Sequence, residues 1–93
     1  MSVTLRLFGA LRELLGTERM ELELESELTV EQLRRVIAKK YPKVADLLPH
    51  LAFSVNLEFA GSDTLVKHGD EVALIPPVSG GGDGQGNQRG IGG

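Results

Sequence analysis

An α+β domain is predicted from this chain: a single sheet of four to five strands with one main helix packed across one face. Three observations predict it. Apolar and polar residues alternate at the two-residue period of half-buried strands around residues 3–8, 20–25 and 53–57, and residues 72–75 form a short apolar run. One longer segment, from Thr29 to Lys40, carries apolar residues at helical spacing instead. Glycine and proline punctuate the boundaries between these segments, all within the first eighty residues.

The elements follow in order. Val3, Leu5 and Leu7 alternate with Thr4, Arg6 and Phe8, giving the first strand. Leu11, Leu14 and Leu15 fall at helical spacing before Gly16, a C-terminal cap for a short helix. Met20, Leu22 and Leu24 alternate with Glu21, Glu23 and Glu25, so the second strand has an acidic outer face suited to a sheet edge. Thr29 opens the main helix, and Gln32 completes a capping box. Val30, Leu33, Val36 and Ile37 form its inward stripe, Lys39 and Lys40 suit its C-terminal dipole, and Pro42 limits it. Val44, Leu47, Leu48 and Leu51 suggest a shorter helical segment. Phe53, Val55 and Leu57 begin a third strand, a short one fits 58–60, and residues 71–75 make the last, after a turn at Gly69-Asp70. That last strand is the most apolar, which suits a central place in the sheet.

Composition narrows the function. At 93 residues and 41% hydrophobic content the chain makes one small core, over residues 1–78. Without cysteine, it has no disulfide framework, no thiol nucleophile and no thiolate metal ligand. A net charge of −3 argues against nucleic acid, which demands a basic face. No apolar run approaches the ~20 residues of a membrane span, and the chain enters its first strand with no signal peptide. A cytoplasmic location is expected.

Beyond the last strand the chain changes character. Pro76 and Pro77 lack a backbone N–H and are held near polyproline geometry, so they end the pairing and direct the chain away as a stiff arm through Val78. Residues 79–93 include eight glycines and a single large apolar residue, Ile91, so burial cannot offset their ordering and a flexible tail is expected. Gly80 and Gly81 lie where the arm ends, and a diglycine fits a slot too narrow for any side chain.

The ordered segments resemble the family of the small subunit of molybdopterin synthase (MoaD) and its archaeal ubiquitin-like modifier relatives. The likeness spans residues 2–81. It includes the first strand and short helix over residues 5–17 with Arg12-Glu13-x-x-Gly16, the helix start Thr29–Arg34, the third strand at Ser54-Val55-Asn56, and the arm from Gly69 to Gly81. The resemblance implies a ubiquitin-like β-grasp fold with a mixed sheet. It also implies a carrier rather than a catalyst. A ubiquitin-activating-type adenylyltransferase would use ATP to adenylate a C-terminal glycine, Gly81, which a persulfide then converts to a thiocarboxylate. The large synthase subunit would accept the arm and take the sulfur for the dithiolene of molybdopterin. No cofactor is bound by the carrier itself. A second outcome stays open, in which the diglycine joins the chain to lysines of target proteins as a modifier. Sulfur delivery to thiazole, cysteine or tRNA synthesis is a third, and relatives of that kind resemble residues 5–17 less.

One departure has a chemical consequence. Twelve residues follow Gly81, and while Gly82 is attached the Gly81 carbonyl is an amide that cannot be adenylated. Three explanations are open: a zinc metalloprotease trims the tail after Gly81, the working end is Gly92-Gly93, or the extension has no function. Trimming is the first choice, because the stiff arm presents Gly81 and a flexible extension of about 40 Å would blunt that presentation.

Parity adds a candidate surface. With Val3, Leu5 and Leu7 facing the helix, Phe8 faces away from it, and the same rule turns Val72 and Leu74 inward and Ile75 outward. The resemblance places Phe59 nearby. Phe8, Phe59 and Ile75, with Pro76, Pro77 and Val78 of the arm, are the expected partner-binding residues, although Phe8 could simply cover the open end of the sheet. Other candidates read plainly. His50 and His68 sit in loops without ligand spacing, so no metal site is expected. Ser79 has no histidine–acid partner, and the glutamate series 21–27 is a solvated face. The glycines at 80–86 lack the Lys-Ser/Thr and helix of a phosphate loop.

Overall fold

The computed structural model describes residues 1–77. Val78, Gly80, Gly81, Gly93 and the expected flexible tail at 79–93 lie outside the described residues. The elements are β1 (Ser2–Leu7), α1 (Gly9–Leu15), β2 (Arg19–Glu23), β3 (Leu28–Thr29), α2 (Val30–Lys40), two 3₁₀ turns (Pro42–Val44 and Leu48–His50), β4 (Ala52–Val55), β5 (Glu58–Ala60), β6 (Leu65–Val66) and β7 (Glu71–Ile75). Five strands form one mixed sheet in the order β2-β1-β7-β4-β5, with β1 and β7 parallel and the other pairs antiparallel. With α2 packed across one face, this is the ubiquitin-like β-grasp.

Local chemistry explains the elements that carry the sheet's cover. Thr29 Oγ1 accepts from the Gln32 amide at 3.2 Å, and Gln32 Oε1 accepts from the Thr29 amide at 2.9 Å, closing the capping box that starts α2. Val30, Leu33 and Ile37 then bury in one core with Val3, Leu5 and Leu7 of β1 and Val72 and Leu74 of β7. Each such side chain contributes on the order of 1.5–3 kcal/mol when fully removed from water. Arg34 ties α2 to the far half of the sheet. Its guanidinium lies 4.8 Å from the centre of the Phe53 ring and donates to the Leu48 carbonyl. Gly16 caps α1 in the left-handed region at φ 75°, donating its amide to the Arg12 carbonyl.

The acidic β2 is an edge strand, and β7 is central beside β1. Leu57 differs from expectation. It does not continue the third strand but sits in the turn after it, at φ 73° beside Asn56 at φ 52°. The chain reverses there because Val55 pairs with Glu58, leaving a two-residue hairpin loop. The shorter helical segment is a pair of 3₁₀ turns that bury Val44 and Leu48. Val36 on α2 is half-buried, and Leu14 on α1 is exposed. A second ladder, β3 with β6, pairs Leu28 with Val66 and Thr29 with Leu65 beside the start of α2.

Candidate partner-docking surface

The uncovered face of the sheet is built by register. Arg6 pairs with Ala73, Ala73 with Ser54, and Ser54 with Phe59, so these four residues form one row across β1, β7, β4 and β5. Small side chains occupy the middle of the row and larger ones its ends. The result is a shallow groove of about 370 Å³ lined by Phe8, Ser54, Leu57, Phe59, Ala73 and Ile75. Ser54 is the only polar residue among them.

The structure therefore brings together three of the residues singled out from sequence. Phe8 is 42% exposed and Phe59 81%, while Ile75 is half-buried on the same groove. Pro76 and Pro77 follow Ile75 directly, so the arm leaves from the rim. Gly9, at φ 55°, starts α1 on the other side of that rim, and a Cβ there would lie 3.4 Å from Pro76 Cγ. An exposed apolar groove of this kind is a candidate interaction site. Beside the groove, Arg6 Nη1 donates to Glu71 Oε2 at 2.6 Å, and its guanidinium stands 5.9 Å from the centre of the Phe8 ring. The apolar groove thus has a charged border.

Three lining residues were not singled out from sequence: Ser54, Ala73 and Leu57. A small outward residue two positions before Ile75 was a usable signal for the groove floor, because the parity that exposes Ile75 exposes Ala73 as well. Leu57 had no such signal, since its apolar character continued the strand pattern. His50 and His68 are both exposed, and His68 Nδ1 accepts from the Ser2 amide at 3.1 Å. Among the described residues, no three His, Asp or Glu side chains come together to hold a metal ion, and no helix is long and apolar enough to cross a membrane.

Comparison with known proteins gives this geometry a context. The chain is 37% identical over 82 residues to the molybdopterin synthase sulfur carrier subunit of Mycobacterium tuberculosis, covering 87% of this chain and 99% of that one. Small archaeal modifier protein 1 from Methanosarcina acetivorans superposes with a TM-score of 0.71 at 28% identity, over 86% of this chain and 96% of that one. Subunit 1 of the molybdopterin-converting factor from Helicobacter pylori, solved in complex with subunit 2, gives a TM-score of 0.63 at 27% identity, over 87% and 100%. A family model matches residues 5–81, from within β1 through the diglycine, and on that match the chain belongs to the ThiS family.

Proposed function

We propose that this chain is a ubiquitin-like sulfur carrier for molybdopterin synthesis, activated at Gly81 and docked on its partners through the open face of the sheet. The observation that carries the reading is the apolar groove of Phe8, Ile75 and Phe59 at the root of the Pro76-Pro77 arm. A surface there lets a partner hold the domain while the arm reaches a buried site. The sulfur-carrier names of relatives such as the one from Mycobacterium tuberculosis support the same reading.

On this reading the chain supplies recognition and a deliverable terminus, while the acid–base chemistry belongs to its partners. A metalloprotease first frees the Gly81 carboxylate. An adenylyltransferase then binds the carrier, and the carboxylate attacks the α-phosphorus of ATP, expelling pyrophosphate. A partner's persulfide attacks the acyl carbon and expels AMP. A second thiol releases the thiocarboxylate as a disulfide forms on the partner. Docking on the large synthase subunit holds the sulfur at high effective concentration beside its acceptor. ATP and reduced thiols place this chemistry in the cytoplasm.

Intact-mass analysis of the protein from its native cells tests this. The expected result is a species ending at Gly81 that is adenylated and thiocarboxylated, whereas the full chain is not. Activation of the 93-residue form itself, abolished by deleting Gly92-Gly93, would move the working terminus to Gly93.

A second reading, conjugation to lysines of target proteins, is favoured by the structural likeness to small archaeal modifier protein 1. Lysine isopeptides carrying the Gly81 end, found in digests of the same cells, would establish it.

A further inference from the structure

Leu57 occupies a position that the fold does not need it to occupy. The two-residue loop between β4 and β5 has positive φ at both positions, 52° at Asn56 and 73° at Leu57. Asn-Gly is the favoured pair in such a loop, because the second position is strained for any residue with a Cβ and free of strain for glycine. Leucine is also 91% exposed there, so it recovers nothing by burial. A lone exposed leucine is ordinary on a protein surface, but one held in the left-handed region is not.

Its neighbour makes the position rigid. The Asn56 amide donates to the Glu71 carbonyl at 2.8 Å, and Asn56 Oδ1 accepts from the Glu71 amide at 3.0 Å. Asn56 Nδ2 donates to Asp70 Oδ1 at 3.0 Å, and Asp70 Oδ2 accepts from the Lys67 amide at 2.8 Å. The turn is thereby fastened to the start of β7, and Leu57 is presented on a fixed stalk at the edge of the groove that also holds Phe8, Phe59 and Ile75. Strain retained at an exposed, rigidly held side chain points to use at an interface.

We propose that Leu57 is a specificity-determining anchor, inserted into an apolar cup on the large synthase subunit. It would extend the docking surface from the sheet face onto the hairpin tip. This inference rests on the docking reading above, and Leu57 acts by contact with the partner rather than through the fold.

The test sets stability against affinity. Leu57→Gly relieves the backbone strain and removes the side chain, so its Tm should rise by several degrees while its affinity for the large subunit falls about tenfold or more. Leu57→Met keeps an apolar side chain at the same φ and should bind within about threefold of wild type. Titrations are made with the full chain and with the Gly81-terminated form in parallel. A glycine variant that binds as tightly as wild type overturns the proposal, as does one that loses stability along with binding. Wild type that fails to bind the subunit in either form overturns the docking reading and this inference with it.

Discussion

On the covered face of the sheet, Val3, Leu5, Leu7, Phe53, Val72 and Leu74 are all buried. On the open face Phe8, Leu57 and Phe59 stay exposed, and Ile75 is half-buried. The two sets are equally apolar, and they alternate along the same short segments. Leu7 is 1% exposed and Phe8, the next residue, 42%. The difference lies in what covers them. The covered set packs against α2 and contributes to folding, whereas the open set is removed from water only in part. Apolar character alone therefore says little about stability in this domain. The face on which a residue sits decides what its loss would cost.

The comparison breaks most visibly from the covered side. Leu74→Ala should destabilise the domain by about 2–5 kcal/mol, through lost transfer energy and the cavity left behind. Against a total stability of about 5–15 kcal/mol for a typical domain, urea unfolding should show a large fall in midpoint. A shift as small as that of an exposed substitution would mean that α2 does not seal this face.

On the open side the expected effect is on binding. Phe8→Arg should leave the unfolding free energy within about 0.5 kcal/mol of wild type. Affinity for the large synthase subunit should nevertheless fall by about 2 kcal/mol, a Kd roughly thirtyfold weaker by titration calorimetry. Destabilisation comparable to Leu74→Ala would erase the distinction between the faces.

The smallest effect belongs to the charged border of the groove. Arg6 and Glu71 approach to 2.6 Å, but both side chains are more than a third exposed, at 37% and 36%. Arg6→Met should therefore cost only about 0–1 kcal/mol of stability, and the loss should shrink further in high salt. A larger, salt-insensitive loss would show that the open face contributes to folding after all.

Much of this arrangement is legible in the sequence. The capping box at Thr29 and Gln32, the Gly16 cap and the inward parity of β1 and β7 depend on residues a few positions apart, and local sequence carries them. Phe8 and Ile75 were legible for the same reason. Other features were not. The β3–β6 ladder joins Leu28 to Val66, and two-residue strands leave no periodicity to read. Leu57 prolonged the apolar alternation of β4 and concealed a hairpin that a glycine would have announced.

Alternation and caps were determined by the sequence itself, because backbone geometry fixes which way each side chain points within a strand or a helical turn. It also set where strand pairing stops, after Ile75, since proline's missing N–H needs no tertiary partner to act. Only the tertiary structure decided that Phe59 and Phe8 line one groove. They lie 51 positions apart in the chain and are joined through the order β1-β7-β4-β5, with Ser54 pairing to both Ala73 and Phe59. Strand order is a contest among long-range pairings, each closing a loop at an entropic cost that no local window records.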